Sequence, residues 1–521
     1  MERQNSREVE EELSEFHEEP RESLVAPGDF FSTEGSPAFP FRFPETRDNI
    51  FNRILSLSYR WLDSIANPRG HLFVRHREEV LEPYYDLLRL LYYKEHIIKG
   101  ENFLLKRYND VPRLYRVDIM HSYPPGITDG RVLNVRSFAR GGGRDIAEAL
   151  STAIGEFLER YFLTLYHKKN LISGSPLTLT RKGYQMINLA ALAGFSEEQQ
   201  KDSASRSWDE KSILRWEKAT CLSTKETVLV PAQLVYWNYI HDEGEPFLRE
   251  QNTNGCGGMF TREGSILSGL YELVQRDAFL IHWLNAISPP KVDPATVPDA
   301  MFQKILRESQ RYGFEVHCLN TTLDTGIPSV AIIIEDLFGH FPLFSFGAGC
   351  DPAPEKALRR ALMEAWFCYY FLRASFREPL EPPKDYKPFR DTSINQVQRL
   401  QLFCNPSLRQ RYQFLMDGET KSFDEHYPHR NKFSSQEEEL AAAVRQIENL
   451  GPGYEAYAFT ACHRVLSRIG YFSSRVIVPA LVPLYLTETH PPLGAKRIQG
   501  VPKKLGLRHS GQINQWPHPF P

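Results

Sequence analysis

The spacing of apolar residues changes character along the chain. In EEVLEPYYDLLRLLYYKEHI they recur every three or four positions, which predicts amphipathic helix in an N-terminal region of residues 46–129 that is mostly helical. From about residue 130 strands and long helices alternate. GRVLNVRSFA reads as a strand that ends in Gly141, Gly142 and Gly143 and feeds a helix from Asp145 to about Tyr166. A second turn, TNGCGG, leads into a helix from about Arg262 to Leu284. FEVHCL, SVAIII and FPLFSFGAG are rich in β-branched and aromatic residues and read as strands. PAPEKALRRALMEAWFCYYFLR is a helix opened by prolines.

Residues 380–435 are proline-rich and irregular, and read as a surface excursion. SSQEEELAAAVRQIENLG has serines ahead of it, acids in its first turn and Gly451 after it, the punctuation of a helix. RVIVPALVPLYL reads as a late, buried, kinked strand. The predicted class is α+β with mixed sheets. STAIGEFLERYFL and LSGLYELVQRDAF share a Glu-x-x-(Glu/Gln)-Arg frame after glycine-rich turns, which predicts two quasi-equivalent halves facing each other.

Composition narrows the class. With 41% hydrophobic and 24% charged residues the chain can build a sizeable core. A net charge of -3 argues against nucleic-acid binding through bulk electrostatics. The seven scattered cysteines form no C-x-x-C pair and fit a reducing compartment. The acidic start has no apolar signal core, and the longest apolar runs are too short to span a bilayer. These features read as a soluble, cytoplasmic protein without membrane or nucleic-acid partners. Residues 1–45, acidic and then rich in Pro, Gly and Phe, read as a disordered arm.

Candidate chemistry lies on the helices. Glu156, Glu159 and Arg160 stand at i, i+3 and i+4 and share one face. Glu272, Gln275 and Arg276 repeat that spacing, and Arg360 with Glu364 gives a third pair. One such pair alone is an ordinary surface ion pair worth a few tenths of a kcal/mol, roughly. The helix around Glu156 is too apolar for all its polar residues to be in water, and buried carboxylates need an arginine or a metal. Carboxylates with arginines suit a magnesium–phosphate site. Gly141–Gly143, read as a turn, would add N–H donors for anions. His282, Cys256 and the run CYYFL read as packing residues.

ALSTAIGEFLERY, TNGCGGMFTREGSILSGLYELVQRDAF and GAGCDPAPEKALRRALMEA, in that order and followed by a terminal PHPFP, resemble the YcaO superfamily and its azoline-forming members. The resemblance covers about residues 130–521, a catalytic domain ending in Pro-x-Pro-x-Pro. It implies an ATP- and Mg2+-dependent cyclodehydratase that turns Cys, Ser or Thr of a ribosomal precursor peptide into thiazoline or (methyl)oxazoline by phosphorylating the backbone amide oxygen. By that resemblance Glu156, Glu159, Glu272, Gln275 and Glu364 would hold Mg2+, and Ser151, Arg160, Asn254, Arg276 and Arg360 would contact the nucleotide. Pro517, Pro519 and Pro521 would insert the end of the chain into the active site.

Gln275 stands where the family usually has a glutamate, ARGGG replaces the usual G-K-G turn, and Phe367 stands where a glutamine often follows the third motif. No separate winged-helix module has clear boundaries within residues 46–125, so a leader-binding partner, E1-like or ThiF-like, is expected, and a homodimer is compatible with this class. The alternatives are a relative forming thioamides or amidines and a non-catalytic scaffold binding peptide or partner.

Overall fold

The computed structural model describes residues 103–107, 112, 114–121 and 137–520, except 204–206, 392 and 430. The arm at 1–45 and most of the region 46–129 lie outside the described residues, as does Pro521. The part of 46–129 that is described is extended: strands β1 (Phe103–Arg107) and β2 (Tyr115–His121). The chain divides into two compact units, one of residues 1–170, 258–265 and 460–474, the other of the remainder.

In the first unit β1, β2 and β3 (Ser137–Gly143) form an antiparallel sheet with Val117 opposite Gly141. Helix α1 (Ile146–Phe162) packs on it, with the Asp145 side chain capping its start by accepting from the Glu148 N–H. Its apolar face, from Ala149 and Ala153 to Phe157 and Leu158, is buried. Gly141–Gly143 belong to the strand ladder and are not an anion-cradling turn, which corrects the reading from sequence. Their function is close approach: a Cβ on Gly141 would stand 2.0 Å from the Ala149 carbonyl oxygen. Tyr471 and Ser473 hold the other end of α1 by donating to the carbonyls of Gly155 and Leu158, each at 3.2 Å.

The second unit repeats this succession. Strands β9 (Phe314–Asn320), β10 (Ser329–Asp336) and β11 (Phe344–Cys350) form an antiparallel meander, and α4 (Pro354–Ser375) packs on β11. Gly349 meets Ala357 as Gly141 meets Ala149, and Gly347 meets Ala361 and Ala365. β8 (Lys291–Val292) extends this sheet antiparallel to β9, and β12 (Thr420–Lys421) adds to β8 in parallel, which makes the sheet mixed. A six-stranded sheet runs β4 (Ile172–Gly174), β5 (Leu214–Cys221), β13 (Tyr457–Thr460), β14 (Phe472–Ile477) and β7 (Cys256–Met259), with β6 (Thr227–Pro231) against β5. The other main helices are α2 (Arg262–Leu284), α3 (Ala300–Arg311), α5 (Gln396–Phe403), α6 (Gln436–Glu448) and α7 (Arg497–Leu505). The class is α+β with mixed sheets, as the pattern predicted.

The largest departure from the sequence reading concerns residues 380–435. They are not a surface excursion: Arg399, Phe403, Tyr412 and Leu415 are fully buried, and Phe403, Tyr412 and Leu415 share a core with Phe279, Phe346 and Phe520. Proline and polar content marked irregular backbone there, and irregular backbone can still be inside. Six cysteines are buried as free thiols and Cys462 is exposed. Among the described residues no helix is long and apolar enough to cross a membrane.

Candidate active site

Three glutamates share one local arrangement, each accepting a hydrogen bond from a backbone N–H sixteen or seventeen residues upstream. Glu156 on α1 accepts from Arg140 at 2.7 Å. Glu272 on α2 accepts from Gly255 at 2.6 Å. Glu364 on α4 accepts from Ala348 at 2.8 Å. In each case a glycine lets the helix approach closely enough: Gly141 under α1, Gly349 under α4, and Gly269 on α2, whose Cβ would lie 2.3 Å from the Gly255 carbonyl oxygen.

The free sides of these carboxylates differ. Glu156 pairs with Arg160, and Glu272 pairs with Arg276 at 2.6 Å, so both i, i+4 pairs read from sequence form. The side chains of Glu156 and Glu272 keep 23% and 27% of their surface, enough for a ligand to reach them. Glu364 has no such arginine, because Cys368 stands four residues on. Arg360 instead pairs with Asp351 at 3.0 Å and is mostly exposed, which corrects the expected Arg360–Glu364 pair. Enclosure therefore acts on Glu364 without full compensation and raises its carboxyl to about 7; the Ala348 N–H and Arg276 oppose the rise and Glu272 adds to it.

The remaining candidates distribute over the two units. Ser151 and Glu159 are half-buried on α1, and burial followed by the nearby Glu159 charge holds the Tyr471 phenol well above its ordinary range. Asn254 is buried; it accepts from Arg276 at 2.6 Å and donates to the Leu484 carbonyl at 2.7 Å. Gln275 is half-buried on α2. The structure thus gathers Asn254, Glu272 and Arg276 into one contact set and Glu156 with Arg160 into another. The next residue, Asp277, receives two hydrogen bonds from Arg497, which also binds Asp324 at 2.7 Å. That buried clamp fixes α2 where it presents Arg276.

The segment leading to the last residue is inside the second unit as far as Phe520. Pro517, His518, Pro519 and Phe520 are all buried. Asn514 donates its N–H to the Leu284 carbonyl of α2 at 2.7 Å, while Trp283 donates to the Trp516 carbonyl at 3.1 Å. Tyr386 stacks on Trp516 at 5.3 Å. Phe520 packs against Phe279 at 5.3 Å and Phe346 at 5.4 Å. Phe279 lies one turn beyond Arg276, and Phe346 two residues before Ala348, so the tail ends among the elements that bear Glu272 and support Glu364.

Sequence reasoning missed what holds this tail. Arg399, wholly buried, pairs with Glu488 at 2.6 Å, donates to the Tyr485 carbonyl at 2.7 Å and faces His518 Nε2 at 2.7 Å. Burial, then the positive charge of Arg399, holds His518 well below the usual imidazole range, so its ring is neutral. No local motif announces this network; its members are joined only by the fold.

Comparisons with known proteins agree with this architecture. A family model described as YcaO cyclodehydratase, ATP- and Mg2+-binding, matches residues 140–482. An uncharacterized protein of Methanothermobacter thermautotrophicus is 35% identical over 159 residues, 30% of this chain and 42% of its own. A second uncharacterized protein, from the tfuA 3' region of Rhizobium leguminosarum bv. trifolii, is 27% identical over 194 residues, 36% and 46% of the two chains. The matches thus span less than half the length of these curated relatives. Among solved structures, a heterocyclase in complex with substrate and cofactor shares the fold with a TM-score of 0.64 at 20% identity, covering 82% of this chain and 56% of that one. The heterocyclase TruD gives 0.57 at 21% identity over 71% and 50%. YcaO from Methanopyrus kandleri, bound with AMPPCP and Mg2+, gives 0.53 at 18% identity over 76% and 91%.

Proposed function

The chain belongs to the YcaO family, and from that premise we propose that it is an ATP- and Mg2+-dependent cyclodehydratase acting on Cys, Ser or Thr of a ribosomal precursor peptide. The observation that supports an internal task for the tail in this reading is the burial of Pro517–Phe520 against Phe279 and Phe346. A free proline-rich ligand for another domain would be exposed, so burial is evidence for a task inside the protein.

In the proposed reaction the side-chain nucleophile adds to the carbonyl carbon of the preceding residue. The carbonyl oxygen takes the terminal phosphoryl group of ATP, and ADP leaves. That oxygen then departs with phosphate as the nucleophile and the amide nitrogen give up their protons, and a C=N bond closes the azoline. An amide oxygen is a poor leaving group, and phosphorylation makes it a good one.

The residues fit Mg2+: Glu156, Glu272 and Glu364 are half-buried carboxylates, and desolvation raises the Glu364 carboxyl to about 7, as expected of a carboxylate with too little positive charge beside it. When bound, Mg2+ supplies neutralisation of the phosphate charge. Glu156, Glu159, Glu272, Gln275 and Glu364 would hold it. Asn254 and Ser151 would orient the nucleotide, and Arg160, Arg276 and the exposed Arg360 would grip phosphate oxygens. The backbone N–H bonds to Glu156, Glu272 and Glu364 fix each carboxylate before a ligand arrives. Pro517, Pro519 and Pro521 would position the chain end beside the reacting amide. Leader capture by a separate partner protein belongs to the same proposal.

The test is incubation with the precursor peptide, partner, Mg2+ and ATP, followed by peptide mass. Loss of one water per modified residue supports the reading. Exchange of oxygen for sulfur would replace it with thioamidation, and an unchanged mass with a competent partner would make the chain a scaffold.

A further inference from the structure

Glu250, Asn252 and Asn254 stand at alternate positions, and all three side chains reach the same stretch of backbone, residues 484–486. Asn252 and Asn254 each donate from Nδ2 to the Leu484 carbonyl at 2.7 Å, and Glu250 accepts from the Leu486 N–H. The carbonyl between them, that of Tyr485, serves the tail. Arg399 Nη1 donates to it at 2.7 Å, and His518 Nε2 stands 2.7 Å from it. Arg276 orients the Asn254 amide by donating to its Oδ1 at 2.6 Å. One series of contacts therefore runs from Arg276 through Asn254, Leu484 and Tyr485 to Arg399 and His518, all within the second unit. Asn254, Leu484, Tyr485, Arg399 and His518 are at most 2% exposed. Water cannot replace a hydrogen bond lost there, so residues 484–486 cannot move with one set of partners without straining the other. Glu488, fully buried, matches the Arg399 charge at 2.6 Å and fixes the guanidinium where it meets Tyr485 and His518.

We propose that Arg399 is a positioning residue that couples nucleotide binding at Asn254 and Arg276 to the seating of residues 517–520, by way of the backbone of residues 484–486. Arg399 acts through Tyr485 and His518. A nucleotide engaging Asn254 and Arg276 favours the arrangement in which the Asn254 amide holds Leu484. The tail that depends on the adjoining carbonyl then opens less often. The inference rests on the nucleotide role proposed for Asn254 and Arg276 and is independent of the chemistry done to the peptide.

The test is hydrogen–deuterium exchange of the full chain, read on a peptic fragment holding the Asn514, Trp516, His518 and Phe520 amides, with and without saturating Mg2+ and AMPPCP. In the parent the nucleotide is expected to slow exchange of this fragment about threefold. Arg399→Met alone would strand Glu488, so it is combined with Glu488→Leu, which removes both charges. The double variant is expected to bind AMPPCP and to melt within about 3 °C of the parent, yet to show no nucleotide-dependent slowing. Arg399→Lys keeps a charge for Glu488 but lacks the fork that also reaches the Tyr485 carbonyl, and it is expected to lose most of the slowing. A merely structural Arg399 would speed exchange equally with and without nucleotide and leave the slowing factor unchanged. Slowing that persists in both variants, or a parent that binds AMPPCP with no change at the tail, would overturn the coupling alone. A parent that fails to bind AMPPCP would overturn the nucleotide-site reading together with it. The expected slowing beside an unchanged precursor mass would uphold the coupling and remove only the cyclodehydratase reading.

Discussion

His518 is the residue where charge, packing and position in the chain meet. It is neutral and buried against Arg399, which Glu488 discharges, with the Tyr485 carbonyl beside it and Arg276 adding to the positive field. Above an ordinary imidazole pKa of about 6.5 this neutrality costs nothing, because the unfolded chain is neutral there too. Below it the unfolded chain binds a proton that the folded chain refuses. Stability then falls as pH drops, by up to about 1.4 kcal/mol per pH unit for each such histidine. His282, held down to about 4 by burial, and His463, held down to about 3, add in the same direction. Urea unfolding of His518→Gln between pH 7 and 4.5 should therefore show a shallower acid loss than the wild type, by about one proton. An identical slope would mean that the ring takes up its proton in place. The sequence disclosed His282 as a packed helix residue, and that reading holds. It gave no sign of Arg399 or Glu488, because their partners are distant in the chain.

At the scale of elements, strands with paired glycines and helices with small residues facing them carry the candidate carboxylates. A Cβ on Gly347 would come within 2.3 Å of the Ala361 carbonyl oxygen and 2.4 Å of the Ala365 nitrogen, and helix backbone cannot step aside. Gly347→Ala should destabilise the protein by about 3 kcal/mol. Gly500→Ala, inside α7 with nothing within 4 Å, should gain about 0.5–1 kcal/mol. Equal urea midpoints for the two variants would contradict the close-approach account. Helical periodicity made Glu156 with Arg160 and Glu272 with Arg276 legible, since i, i+4 neighbours meet whatever the tertiary setting. The same rule failed for Arg360, where Asp351 supplied a nearer carboxylate. The N–H partners of the glutamates were illegible because a helix does not announce which strand it covers. The sequence echo was placed on α1 and α2, yet the fuller equivalence joins β3 and α1 to β11 and α4.

At the scale of the whole chain, strand and helix alternation from residue 137 onward was legible, while the course of residues 380–435 and the end of the chain was not. Both depend on long-range burial: Phe520 belongs to the core that Phe403 and Tyr412 help to build. Deleting residues 519–521 removes Phe520 but leaves the Asn254–Glu272–Arg276 set its own contacts. Under the proposed function such a deletion should lower azoline formation at least tenfold while nucleotide binding changes less than threefold; equal losses in both would make the tail a general stabiliser. The buried thiols add a last consequence. Enclosure pushes Cys368 up to about 12 and holds Cys318, Cys350 and Cys404 well above the usual thiol range. A protein proposed to handle cysteine-bearing peptides thus keeps those four sulfurs out of exchange with its cargo, and Cys462 offers an external position for attaching a fluorophore to the native chain.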